Sequence, residues 1–324
     1  MRLEGIGAPL VMREIPDPEP DPYQVRIEVE ACAVCRTDLH IVDGELPSLR
    51  NAITPGHEVV GVVDRLGEGV SVLSLGQRVG VGWLGGTCGC CSYCHRSKEN
   101  LCDKPEFTGY SRDGGFATHM IADARYAYHL PQHGPAEGLA PLMCAGLIGW
   151  RSLVFAGEGR TIGLYGFGAA AHIVIQVAKW QQRRVFAFTQ PGDAAAQKLA
   201  RDLGADWTGA SSEPPPEPMD AAIIYAPVGA LVPLALKNVR RGGRVVCAGI
   251  HMSDIPSFPY RDLWGERQIV SVANLTRQDA HDFLQLVHCI DIRTHTTVYP
   301  LAEANRALDD LRAGRLQGAA VLAV

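Results

Sequence analysis

Cys88, Cys91, Cys94 and Cys102 stand close together in a stretch that opens Gly-Gly-Thr-Cys-Gly-Cys-Cys-Ser-Tyr-Cys. Thiolates this near in sequence can surround one tetrahedral Zn²⁺ without long-range folding, and an all-sulfur donor set leaves no open coordination position. The loop therefore reads as a structural zinc site that staples its surroundings locally. The alternative is a group of buried thiols, but cysteine seldom repeats at ligand intervals for packing reasons alone. Cys90 breaks the spacing, so Cys90 and Cys91 can exchange roles. His95, next to Cys94, is a competing donor.

A second set of donors comes from distant segments. Cys35 opens Cys-Arg-Thr-Asp-Leu-His, Gly56, His57 and Glu58 follow, and Cys144 lies in Pro-Leu-Met-Cys-Ala-Gly. Two thiolates and a neutral imidazole would offset the charge of Zn²⁺ and leave a fourth position for water or substrate oxygen. Spacing alone does not bring these three together, and singly each reads equally well as a core residue.

The remaining composition narrows the class. A chain of 324 residues with 47% hydrophobic residues favours two domains over one. A formal net charge of −5 argues against a nucleic-acid or membrane-surface partner. Met1 to Pro22 is rich in Pro, Asp and Glu and carries no apolar run like that of a signal peptide. Apolar stretches elsewhere are broken well before the ~20 residues a spanning helix needs. Ten cysteines without such a leader favour metal ligation in the cytoplasm over a disulfide framework.

Along the chain, Gln24 to Ala33 alternates apolar and charged residues, and Val59 to Leu66 and Arg78 to Trp83 are further β-rich runs. These predict an antiparallel β domain that carries its ligands on loops. From Thr161 the pattern becomes β-α alternation. Strands are expected at Thr161 to Tyr165, Arg184 to Thr189, Asp220 to Tyr225, Arg244 to Ala248 and Ile269 to Ala273, with helices ending at Trp180 and near Leu203. Such alternation specifies an α/β, doubly wound parallel sheet. Pro214 to Pro218 is a surface loop, and the tail from Asp279 holds a helix and a last strand from Ala319 to Val324.

Gly166-Phe167-Gly168-Ala169-Ala170-Ala171 follows the first of these strands and fits the dinucleotide fingerprint in its Gly-x-Gly-x-x-Ala form. The first glycine permits the tight turn, the second lets the backbone approach a pyrophosphate, and a small third residue lets the helix pack on the strand. An acidic residue closing the second strand would select NAD by bonding the adenosine ribose. Here that strand ends Phe188-Thr189-Gln190, with no carboxylate before Asp193. The missing carboxylate removes the discrimination against NADP, although no arginine adjoins Thr189 and Gln190 to grip a 2′-phosphate, and the reading is dual use or an NADP lean.

Taken in order, these motifs resemble the zinc-containing alcohol dehydrogenases of the medium-chain dehydrogenase/reductase superfamily, and the resemblance covers essentially the whole chain. It implies a Rossmann cofactor domain at 148–276 and a GroES-like catalytic zinc domain at 1–147, completed by 277–324. Two zinc ions per chain follow, a structural one at Cys88, Cys91, Cys94 and Cys102 and a catalytic one at Cys35, His57 and Cys144. The resemblance further implies that Thr37 takes the substrate proton and passes it through the cofactor ribose to His40, that Asp38 orients His57, and that Glu58 approaches the zinc transiently. Arg36 would neutralise the pyrophosphate, and Trp83 would wall the substrate pocket. Where relatives carry an arginine near the last strand this chain has alanine in Gln317-Gly318-Ala319-Ala320, which implies a cofactor grip that is either weaker or moved to Arg277; Ile148 replaces a common threonine.

The implied activity is interconversion of an alcohol with an aldehyde or ketone, in a homodimer or homotetramer joined through the cofactor domain along Ile269 to Ala273. Polyol dehydrogenases of the same superfamily are the alternative enzyme. A zinc- and nucleotide-binding protein without catalysis is the alternative outside enzymes, and retention of Thr37 and His40 speaks against it. Thr37 and Asp38 also suit the cap of a helix beginning near Leu39. Cys32, three before Cys35, reads as structural.

Overall fold

The computed structural model describes residues 1–47, 50 and 52–324. The chain divides into two compact units, Met1–Cys144 with Asn274–Val324, and Ala145–Ala273. Their boundaries lie three residues before the divisions read from the sequence. The first unit is built on β1 (Gln24–Val34), whose Val25, Ile27, Ala31 and Ala33 are fully buried. It pairs antiparallel with β2 (Glu58–Leu66), with register shifts at Arg26/Ile27 and Val29/Ala31 that bend the strand. β3 (Arg78–Val81) continues the sheet from β2.

The run expected to Trp83 breaks at Val81. β4 (Leu84–Gly86) turns away to pair with β5 (Glu106–Phe107) in a separate two-stranded sheet flanking the cysteine loop. β6 (His119–Asp123) returns to the first half of β1, and β7 (Ala127–His129) closes on β3.

The second unit is a six-stranded, wholly parallel sheet. Its strands are β8 (Thr161–Tyr165), β9 (Arg184–Thr189), β10 (Trp207–Ala210), β11 (Met219–Ile224), β12 (Val239–Cys247) and β13 (Gln268–Ser271), in the order β10-β9-β8-β11-β12-β13. The order reverses direction between β8 and β11, the doubly wound arrangement in which ligands bind at the carboxyl ends of the strands. β10, only four residues long, has no sequence signal strong enough to separate it from a loop. Its core stacks Tyr165 on Phe188 at 4.0 Å between centroids, with Phe188 tilted against Trp207 at 5.0 Å.

The tail re-enters the first unit as β14 (Thr296–Pro300) and β15 (Ala319–Ala323). β15 pairs antiparallel with the second half of β1, and β14 pairs parallel with β15, the one parallel pair in that seven-stranded sheet among the described residues. Among the described residues no single helix is long and apolar enough to cross a membrane. All ten cysteines are free thiols.

Phe188 is fully buried within that aromatic stack, so truncating it opens a cavity. Phe188→Ala should destabilise the second unit by about 3–5 kcal/mol, read by chemical denaturation.

Candidate active site

The register of β1 on β2 sets Ala33 opposite Glu58, so the residues just past the end of one strand meet those just before the other. Cys35 and His57 occupy those positions, and His57 Nε2 lies 3.1 Å from Cys35 Sγ. Gly56 turns the chain into β2 with φ +98°, and a Cβ there would sit 2.4 Å from Phe116 Cδ1, so glycine is required on both counts. Cys144 arrives from a third segment, at the end of the turn Ala140–Met143 that packs on β1 and β2. One donor atom from each of Cys35, His57, Glu58 and Cys144 lies within 4.8 Å of every other.

The helix that carries the next residues spans Arg36–Val42 and is capped by Cys35, not by Thr37 or Asp38. Cys35 Sγ accepts from Thr37 N at 3.3 Å, and Asp38 completes a capping box by accepting from Cys35 N at 2.9 Å. A thiolate can therefore do what Ser or Asp usually does at this position. That correction moves the helix start three residues earlier and frees Asp38 for a second task. Its Oδ1 accepts from Gly56 N at 3.2 Å and pairs with His57 Nδ1 at 3.1 Å, all fully buried. A carboxylate on Nδ1 presents Nε2 as the ligating nitrogen.

Ionisable groups crowd one buried space in this cluster and shift one another. The hydrogen bond from Cys144 and the nearby His57 hold the Cys35 thiol well below its ordinary range despite burial. Cys144, donating to Cys35 in a buried place, is pushed well up. Burial pulls His57 down, but the Cys35 and Asp38 charges outweigh it and hold the imidazole well up. Burial and the Cys35 charge push Glu58 well up, and burial raises Asp38. Two sulfurs, one imidazole and one carboxylate in a space this small fit Zn²⁺.

Thr37 is buried and His40, one turn on, is half-buried on the same helix face. His40 Nδ1 bonds Glu45, a partner the sequence reading did not foresee. Arg36 is exposed. Trp83 sets its ring edge-on to His57 at 5.0 Å and stacks with Phe107 at 4.9 Å and Tyr110 at 5.9 Å. Neither Phe107 nor Tyr110 was read from the sequence, because nothing in their spacing ties them to Trp83. Tyr110 also donates from its hydroxyl to Pro47 O at 2.5 Å.

In the cysteine loop the four sulfurs of Cys88, Cys91, Cys94 and Cys102 converge, while Cys90 and His95 are exposed outside the group. The S···S separations are 3.4 Å for Cys88–Cys102, 3.6 Å for Cys91–Cys94 and 4.0 Å for Cys88–Cys94 and Cys91–Cys102. They straddle the ~3.8 Å edge of a tetrahedron with Zn–S bonds of about 2.3 Å. Backbone N–H groups of Cys90 and Cys91 lower the Cys88 thiol to about 6, and those of Asp103 and Cys94 lower Cys91; burial lifts Cys102 to about 12. Arg277 binds the buried Glu99 carboxylate through its backbone N and Nε and lies over the Tyr126 ring. It braces this loop to the tail.

The second unit carries the fingerprint at the carboxyl end of β8. Gly166 has φ +89°, and a Cβ there would lie 2.9 Å from Ala226 N. A Cβ on Gly168 would meet nothing within 4 Å, which leaves open space over the backbone. Ala171 is fully buried, as the close-packed third position demands. The helix Ala169–Trp180 starts at Gly168 with no side chain capping it, so its first amides are presented to that space. A pyrophosphate fits this cradle. At the end of β9, Thr189 Oγ1 donates to Gln190 O and accepts from Gln197. Asp193 accepts from Ala196 N as the cap of the next helix. Arg184 pairs with Glu217, and Arg183 donates to Gly157 O.

Residues 21–132 match the model of the alcohol dehydrogenase GroES-like domain. A Mycobacterium tuberculosis protein named "Probable alcohol dehydrogenase AdhA" is 47% identical over 315 residues, 95% of this chain and 90% of its own. Among solved structures, a cobalt- and zinc-bound thermostable alcohol dehydrogenase from Pyrobaculum aerophilum superposes with a TM-score of 0.88 at 26% identity, covering 100% of this chain and 99% of that one. An acetophenone reductase from Geotrichum candidum in complex with NAD gives 0.86 at 26% identity, covering 99% and 95%.

Asp38→Ala leaves the Cys35 and Gly56 amides and His57 Nδ1 without their acceptor. Zinc affinity at the Cys35–His57–Cys144 cluster should fall about 10–100-fold, with the four-cysteine site unaffected, in a chelator competition titration.

Proposed function

Since the chain belongs to the alcohol dehydrogenase family with a GroES-like domain, and is a zinc-dependent oxidoreductase interconverting an alcohol and an aldehyde or ketone with NAD(P), we propose that Cys35, His57 and Cys144 hold its catalytic zinc. The observation that carries this is the meeting of three donors from distant segments in one buried cluster within 4.8 Å. When bound, zinc supplies Lewis acidity at the substrate oxygen and the nicotinamide takes or returns the hydride.

The chain's own side chains do the rest. Asp38 keeps the proton of His57 on Nδ1, so Nε2 has its lone pair free to ligate. Glu58, held in the same cluster, would approach the zinc transiently when water or product exchanges. Thr37 Oγ1 takes the proton of the substrate hydroxyl, and His40 delivers it to solvent; removing a proton from a dry site needs such a path. Trp83, backed by Phe107 and Tyr110, walls the substrate.

In the second unit, Gly166, Phe167, Gly168, Ala169, Ala170 and Ala171 receive the pyrophosphate. Thr189 and Gln190 face the adenosine ribose without a carboxylate to repel a 2′-phosphate. Asp193 is engaged as a helix cap. The coenzyme reading is therefore dual use or an NADP lean, which a Michaelis constant strongly favouring NAD would contradict.

We assign the first unit as the catalytic domain, the second as the coenzyme domain, and a second, structural zinc to Cys88, Cys91, Cys94 and Cys102. Assembly as a homodimer or homotetramer is assigned to β13, one of the two edge strands of its sheet among the described residues. The free thiols suit a reducing, cytoplasmic setting. The substrate is a small-molecule alcohol or aldehyde.

Cys144→Ser tests the metal assignment. Metal analysis should fall from two zinc ions per chain to one, with alcohol oxidation lost; two retained ions and normal turnover would remove Cys144 from the site.

A further inference from the structure

We propose that Glu45 is a positioning residue for His40, fixing its imidazole with the proton on Nδ1 so that Nε2 is the nitrogen that accepts the proton leaving the substrate. This rests on the assignment of His40 to proton release above.

The helix Arg36–Val42 ends on Asp43, and Gly44 follows with φ +75°. Gly44 N donates to Ile41 O at 3.3 Å and Glu45 N donates to His40 O at 2.9 Å, the two bonds of a Schellman motif. A Cβ on Gly44 would lie 2.1 Å from Ile6 Cγ2, so glycine alone makes this turn in place. The motif brings the second residue past the cap over the last full turn of the helix. Those two positions commonly make an apolar contact.

Here they are Glu45 and His40, and the contact is a hydrogen bond between Glu45 Oε2 and His40 Nδ1. An ionised carboxylate only accepts, so Nδ1 must be the donor and the neutral ring is left with its lone pair on Nε2. The other carboxylate of the turn, Asp43, is held by Arg312 at 2.7 Å. Glu45 is thus the acid committed to the ring. The pair also runs outward, with 14% of the His40 side chain exposed and 55% of Glu45.

The arrangement repeats Asp38 on His57 with a different outcome. One histidine is turned to ligate, in full burial; the other is turned to carry a proton toward water. A proton arriving at Nε2 makes an imidazolium whose charge Glu45 offsets. Its loss from Nε2 to solvent restores the starting tautomer, so the only net change is one proton released.

The test compares the full-length, zinc- and coenzyme-loaded protein with Glu45→Ala and Glu45→Asp. Ring ¹⁵N NMR of His40, assigned against His40→Asn, should show the Nδ1–H form in the wild type and a shift toward Nε2–H in Glu45→Ala. The kcat of alcohol oxidation should fall about tenfold in Glu45→Ala with an unchanged KM for alcohol, and recover in part in Glu45→Asp. An unchanged His40 ring spectrum, or an unchanged kcat, would overturn the proposal. A wild-type protein that oxidises no alcohol would instead overturn the dehydrogenase assignment of the site, and the ring spectrum would still decide whether Glu45 fixes the tautomer.

Discussion

One buried carboxylate ties the candidate metal site together. Asp38 accepts from the Cys35 amide and the Gly56 amide and pairs with His57 Nδ1, so the helix start, the turn into β2 and the imidazole share one anchor. Hydrogen bonds to a charged acceptor contribute roughly 1.5–3 kcal/mol each, against the substantial penalty of burying the charge. Losing the acceptor would leave three buried donors unpaired, which is why the arrangement holds as a unit. The same constraint explains why Cys35 caps its helix. Its sulfur must sit at the helix start, where Thr37 N stabilises the thiolate and His57 reaches it.

Both units set their candidate functional residues at a helix start, capped in the first unit and uncapped in the second. In the first, the helix Arg36–Val42 begins on a metal-ligand candidate and carries Thr37 and Asp38 in its first turn and His40 in the next. In the second, the helix Ala169–Trp180 begins on Gly168 with its first amides uncapped beyond the end of β8. Glycine is needed at the tight points, Gly56 and Gly166, because positive φ and close neighbours coincide there. At Gly168 the reason is space instead, since the backbone stands open for a ligand.

What the sequence made legible follows the range of the interaction involved. The four-cysteine loop was readable because its thiols are local in sequence, and the sulfurs that converge are those of Cys88, Cys91, Cys94 and Cys102, with Cys90 exposed outside them. The β-α alternation exposed the parallel sheet, since its main strands are short apolar runs separated by helical segments, though the short β10 and the mostly exposed β14 escaped it. Cys35, His57 and Cys144 could be joined only through family resemblance, because the β1–β2 register that unites two of them is not visible in spacing. The helix start was misplaced by three residues because cysteine is not an expected cap. Glu45 was hidden for a similar reason: its link to His40 depends on a turn whose signal, a glycine after a helix, says nothing of the side chain beyond it.

The account stands on Cys35, His57 and Cys144 sharing one metal ion. Anomalous diffraction at the zinc edge on crystals of the zinc-loaded protein tests this most directly. Two peaks per chain are predicted, one among the four loop sulfurs and one within bonding distance of Cys35 Sγ, Cys144 Sγ and His57 Nε2. A zinc-loaded crystal with the loop peak alone, and with Cys35 still hydrogen-bonded to His57, would contradict it.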